Sequence, residues 1–267
     1  MAKETKKQNG SIYLILGTKG GIGKTTVTTL LCQVAALRGL DFEYIELDNS
    51  NDSTTSLANS KIFENRMSSC KTSKAQAELF NATFKAIKEN KTVFCDVGGG
   101  LDTVELIDLV LEEFSHLDIK FILPFENSYK QMKNLKDTYN FINIPEKIYL
   151  VKNKVINYKD EKDEYIFFEG SKELGIDSVR KEINPINKVF ETALSDLNQI
   201  AEITQESILD LAQIAMQYSP AEASDVFMED AKDINEYNQL MQRYSKSAKC
   251  LKEIEKLNLE FEELFNG

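Results

Sequence analysis

The stretch Thr18-Lys19-Gly20-Gly21-Ile22-Gly23-Lys24-Thr25-Thr26 limits the folds open to this chain more than any other feature. Before it runs Ser11-Ile12-Tyr13-Leu14-Ile15-Leu16-Gly17, short, apolar and ended by glycine, the pattern of a strand buried on both faces. After it, Val27, Leu30, Leu31, Val34 and Ala35 fall at helical spacing, with Gly39 placed as a C′ stop. A strand that turns through glycines directly into a helix aims the helix's first N–H groups, which carry roughly half a positive charge, at the turn. Glycines let an anion come close to those groups.

The same alternation continues along the chain. Strands are predicted at 42–47, 92–97, 119–124, 147–152 and 165–168. Helical stripes fall between them, at Leu101, Val104, Ile107, Leu111 and Phe114 and again from about Ser128 to Asn140. Alternating strands and helices imply an α/β fold, a mainly parallel sheet with right-handed crossovers and helices on both faces. From about Asn187 the pattern is read as helical, with Leu197, Ile200, Thr204, Ile208, Leu211 and Ala215 on one stripe and a break at Pro220. The expected organisation is a disordered lead over 1–10 and one P-loop domain over 11–267. Its sheet core spans 11–170 and its helical closure 187–267.

Each polar residue of the loop has chemistry suited to a nucleotide. Lys24 is placed to reach β- and γ-phosphates, and the Thr25 hydroxyl to complete Mg²⁺ coordination. The pattern G-x-x-x-x-G-K-[ST] is not met, because Thr18 stands where its first glycine belongs. Lys19-Gly20-Gly21-Ile22-Gly23-Lys24-Thr25-Thr26 instead resembles the deviant Walker A loop of the ParA/MinD family of P-loop ATPases, marked by a second lysine near its start. The resemblance covers residues 11 to about 155. It implies ATP and Mg²⁺ as cofactors, with nucleotide bound by Gly20, Gly21, Ile22, Gly23, Lys24, Thr25 and Thr26. It implies that Lys19 crosses the interface of an ATP-dependent homodimer to touch the partner's phosphates, the work of an arginine finger supplied in trans.

Other parts of the family's site have counterparts here. Asp48 matches the second acid of the D-x-D motif, with Glu46 in place of the first; the resemblance implies that it orients the attacking water. An aspartate capping its own turn is the alternative. Asp96 ends an apolar strand before Gly98-Gly99-Gly100, suiting a carboxylate that holds Mg²⁺, with Gly98 letting backbone approach the γ-phosphate. Thr25, Asp48 and Asp96 are thus the expected metal-site oxygens. Leu150-Val151-Lys152-Asn153-Lys154 resembles the strand whose asparagine contacts adenine, which gives that role to Asn153.

Composition narrows the partners. Thirty-two Lys and Arg against 43 Asp and Glu give a net charge of −11, which excludes a general polyanion binder. Cys32, Cys70, Cys95 and Cys250 form no C-x-x-C pair, and the single histidine, His116, has no motif around it, so zinc, iron–sulfur and His-dependent nucleophilic chemistry are disfavoured. Reduced thiols and the absence of a long apolar run point to the cytoplasm, at the nucleoid if DNA is contacted. Residues 221–267 hold 11 acids and 6 bases, the wrong sign for a basic amphipathic membrane anchor. Non-specific DNA contact has its best candidates in Lys130, Lys133 and Lys136, with Lys152, Lys154 and Lys159 as neighbours; an ordinary solvated face is the alternative. The family's use of such ATPases in plasmid and DNA partition or other cargo positioning implies a separate adaptor or centromere-binding protein. A metabolic ligase or kinase of the same P-loop group is the other reading.

Overall fold

The computed structural model describes residues 10–17, 20–48, 57–114, 116–155, 165–193 and 195–266. Lys19, the lead at 1–9 and Lys159 lie outside the described residues. The chain divides into two compact units, one of residues 1–54 and 66–194, the other of 55–65 and 195–267.

The first unit carries a seven-stranded, all-parallel sheet. Its strands are β1 (Ile12–Ile15), β2 (Phe42–Leu47), β3 (Met67–Cys70), β4 (Thr92–Val97), β5 (Ile119–Phe125), β6 (Ile148–Val155) and β7 (Val189–Ala193), in the order β3-β2-β4-β1-β5-β6-β7. Among the described residues the α-helices of this unit are α1 (Lys24–Leu37), α2 (Ala75–Lys88), α3 (Leu101–Glu113), α4 (Tyr129–Ile142), α5 (Ile166–Glu169) and α6 (Val179–Ile183). β1, β4 and β5 are buried at every position, as central strands covered on both faces must be. Even Lys120 of β5 is buried, its ammonium lying 5.3 Å from the centroid of the Tyr13 ring. Gly39, with φ 72°, follows the Arg38 cap of α1 as the C′ residue, where an L side chain is strained.

Two expectations are corrected. Tyr165-Ile166-Phe167-Phe168 is not a strand; Ile166–Glu169 is the short helix α5, its Phe168 ring 4.7 Å from that of Phe125 in the core. A short apolar run buries itself equally well as strand or helix, and the sheet position beside β6 is held by another segment. That segment is β7, inside the stretch assigned to the helical closure. The sheet therefore runs past residue 170 to Ala193. β3, whose sequence is Met-Ser-Ser-Cys, and α2 carry too weak a pattern to have been anticipated.

The second unit is helical: α7 (Asp196–Thr204), α8 (Ile208–Leu211), α9 (Gln213–Gln217), α10 (Pro220–Asp230), α11 (Ile234–Glu260) and α12 (Glu262–Asn266). Its boundaries are written in cap residues. Ser207 with Asp210, and Ser219 with Glu222, form capping boxes, and Pro220 opens α10 at a position that needs no N–H donor. Residues of the 57–65 segment belong here too, Asn59 donating its Nδ2 to Thr204 O at 2.9 Å.

Candidate nucleotide site

The glycine turn after β1 delivers the chain to α1, and the loop is braced from beneath. Gly23 adopts φ 85°, and a Cβ there would lie 1.9 Å from Asn153 Nδ2. Both the backbone conformation and the space therefore require glycine. Asn153 Nδ2 donates to Ile22 O at 3.1 Å, while Asn153 Oδ1 accepts from the Thr192 hydroxyl at 2.8 Å and Asn153 O from the Tyr165 hydroxyl. With 2% of its surface exposed and both ends of its amide bonded to protein, Asn153 stands under the loop. The resemblance implies an adenine contact for Asn153; what the structure shows of its amide is the bracing of the loop through Ile22 O and Thr192. Ile22 turns its side chain into the protein, where its Cδ1 would lie 2.3 Å from a Cβ at Gly17.

Thr25 Oγ1 donates to Asp96 Oδ2 at 2.6 Å, and the hydroxyl of Tyr44, on β2, donates to the same oxygen at 3.0 Å. Asp96 is 4% exposed. Burial pushes its carboxyl up to about 6, held there against the downward pull of the Thr25 and Tyr44 hydrogen bonds and the Lys24 charge, with Glu46 adding to the rise. Lys24 is lowered by burial, opposed by the charges of Asp96 and Asp48. A cavity of about 710 Å³ joins these groups. It is lined by the loop glycines Gly20, Gly21 and Gly23 and residues 24–26, by Glu46, Asp48, Asp96 and residues 97–99, and by Lys154. Lys154 is ion-paired to Glu126 at 2.6 Å.

Gly98 lines this cavity, but its N–H is taken by Leu47 O at 2.7 Å and its carbonyl accepts from the Thr103 hydroxyl at 2.7 Å. What it offers the cavity is absence of a side chain, not an amide donor. Thr103, wholly buried, shares that one hydroxyl proton with Gly17 O at 3.1 Å and so ties the end of β4 to the start of the loop. No residue pattern announced Thr103. Tyr44 left a signal: a phenol in a strand otherwise suited to full burial needs a partner for its hydroxyl.

Mg²⁺ takes one or two protein oxygens and completes its shell with phosphate and water. The hydroxyl of Thr25 and the carboxylates of Asp96 and Asp48 are hard oxygen donors of that kind in one cavity. Among the described residues no group of three or more His, Cys, Asp or Glu could hold a metal ion.

Lys130, Lys133 and Lys136 lie along α4, as the spacing suggested. Lys130 and Lys133 are exposed on α4, but Lys136 pairs with Glu182, and Lys152 is buried between Glu169 and Glu191 at 3.1 and 3.2 Å. His116 is exposed in the turn after α3, and Cys32, Cys95 and Cys250 are buried thiols. Among the described residues no helix is long and apolar enough to cross a membrane.

A glycine loop between the central strand and the helix beside it, with lysine and threonine opening the helix and a carboxylate ending the next strand, defines a P-loop nucleotide-binding domain. The chain belongs to the CobQ/CobB/MinD/ParA nucleotide binding domain family, whose model matches residues 13–257. It is similar in fold to the MinD cell division protein of Aquifex aeolicus, at 13% identity over 79% of this chain and 98% of that one, with a TM-score of 0.49. It is similar also to a nucleotide-binding protein of Archaeoglobus fulgidus in complex with ADP, at 15% identity over 73% and 87% of the two chains, with a TM-score of 0.47. A complex of a Cyanothece McdA variant with ATP gives 13% identity over 92% and 97%, also with a TM-score of 0.47. No curated protein matches the chain significantly.

Proposed function

We propose that this chain is a Mg²⁺-dependent ATPase that closes into a homodimer on ATP and positions or segregates cargo through an adaptor protein. The observation that carries the reading is the meeting of Thr25 and Asp96 at the start of α1, with Lys24 and Asp48 in the same cavity. Three carboxylates, Glu46, Asp48 and Asp96, face a site built to receive phosphates. Phosphate can enter only with compensating positive charge, which Lys24, Lys19 and a divalent cation would bring.

In this reading the N–H groups of residues 20–26 cradle the phosphates, and Lys24 neutralises charge on the β/γ bridge. Thr25 and Asp96 hold Mg²⁺, which supplies neutralisation of the phosphate oxygens. Asp48 accepts a hydrogen bond from water and orients it toward the γ-phosphorus. Lys19 of each protomer completes the partner's site, making nucleotide part of the dimer contact. The family membership and the lysine at position 19 support this arrangement. For the cargo we favour a protein adaptor over direct DNA contact, because Lys136 and Lys152 are committed to carboxylates.

Sedimentation with Mg·ATP tests the dimer. Wild type should shift from monomer to dimer and Lys19→Ala should not; a wild type that stays monomeric with saturating Mg·ATP removes the proposal. Asp48→Ala is expected to keep the ATP dimer while slowing turnover by about 10²-fold or more, the scale of a lost general-base contribution. Phosphate release measured under single-turnover conditions checks this, and undiminished release takes Asp48 out of its role.

A further inference from the structure

We propose that Tyr44 is a positioning residue that holds the Asp96 carboxylate for the metal–nucleotide complex; this rests on the ATPase reading given above. Along β2, Tyr44 and Glu46 lie on one face, and the parallel register sets Tyr44 beside Phe94 and Glu46 beside Asp96. The Tyr44 hydroxyl therefore reaches diagonally across the strand pair to Asp96, and does so at 3.0 Å from Oδ2. Its ring is wholly buried, so the hydroxyl is a fixed donor and not a solvated one.

The same Oδ2 accepts from Thr25 at 2.6 Å. Thr25 would hold Mg²⁺ through a lone pair of that same hydroxyl, so one of the two donors that fix Asp96 also belongs to the metal site. The Tyr44 bond comes from the sheet, which has no reason to move. It fixes the carboxylate's rotamer from the sheet, independently of the Thr25 side of the site. Phenylalanine at position 44 would fill nearly the same core volume and leave the Thr25 hydroxyl as the one side-chain donor to Asp96 among the described residues. Hydrogen bonds to charged groups are the stronger kind, so the loss should be visible in binding.

Equilibrium titration of a fluorescent ADP analogue, run in EDTA and in saturating Mg²⁺, tests the proposal on wild type and Tyr44→Phe. The variant should match wild type in EDTA and bind roughly tenfold more weakly with Mg²⁺, the size expected for one hydrogen bond to a charged group. Equal affinities in both conditions, or an equal loss in both, overturn the positioning role. If Tyr44→Phe fails to fold, 3-fluorotyrosine placed at position 44 in the full chain keeps ring and hydroxyl and reports through ¹⁹F. Its resonance should move when Mg²⁺ is added to the ADP complex, and an unmoved resonance overturns the proposal. A wild type whose ADP affinity gains nothing from Mg²⁺ contradicts the metal-dependent reading itself, whereas a wild-type gain shared fully by Tyr44→Phe contradicts only the role of Tyr44.

Discussion

At the loop, one glycine is constrained twice. Gly23 needs φ 85°, a region costly to any L side chain, and its missing Cβ is the space that Asn153 Nδ2 occupies. Gly20 and Gly21 have open space where a Cβ would be. Gly23→Ala should therefore cost more than Gly20→Ala, which meets neither obstacle: about 1–3 kcal/mol for the strained backbone, plus whatever displacing the Asn153 amide adds. Displacement breaks the bonds to Ile22 O and Thr192, so the loop loses its shape along with its stability. Paired denaturant melts and ADP titrations check it; equal behaviour of the two variants would show that Asn153 does not brace the loop. The glycines and Lys24 were legible because their pattern is local, one turn feeding one helix. Thr103 and Thr192 were not, and Tyr44 showed only that its hydroxyl needs a partner, since each acts on a residue brought near by strand pairing, and register is not written in any short motif.

Among the elements, strands buried on both faces were legible in sequence because they are mostly apolar runs. β1, β4 and β5 are of that kind. The edges are different: β3 holds two serines and β7 a glutamate and a threonine, and neither has a long apolar run to announce it. β7 was hidden further by its ionic content, which the fold explains. Glu191 of β7 and Glu169 of α5 flank Lys152 of β6, whose side chain is 3% exposed; Arg180 adds a second contact to Glu169 at 3.1 Å. Removing one partner from a buried set is the costly operation, because the remaining charges keep their desolvation without compensation. Lys152→Ala should then destabilise the first unit by about 3–5 kcal/mol. Lys152→Met with Glu191→Leu should recover much of it, since Arg180 still serves Glu169 and apolar surface replaces the pair. Chemical denaturation of both variants decides the matter, and a single variant within about 0.5 kcal/mol of wild type would mean that water already reaches the cluster. The neighbouring residue on β6 is Asn153, so the same variants should weaken nucleotide binding through the loop brace.

For the whole molecule the governing quantity is charge. Two chains of −11 repel when they approach, and that repulsion acts through solvent, where salt screens it over about 10 Å at 0.1 M and 30 Å at 0.01 M. The attraction proposed between Lys19 and the partner's phosphates acts in contact, across an interface that excludes water, and salt reaches it far less. ATP-dependent association should therefore tighten as salt rises from about 0.01 M to 0.1 M and then level off. Direct DNA binding has the opposite sign, because counterions are released. With Lys130 and Lys133 exposed on each protomer, a dimer offers four such lysines, and log K should fall against log salt with a slope of about −4 at most. Sedimentation equilibrium with ATP and fluorescence anisotropy with a random duplex, both taken across the same salt series, separate these cases. Tightening self-association with no DNA signal at 0.1 M leaves the adaptor as the route to cargo. A DNA slope much steeper than −4 would require basic residues beyond α4 and would return DNA to the first rank of partners.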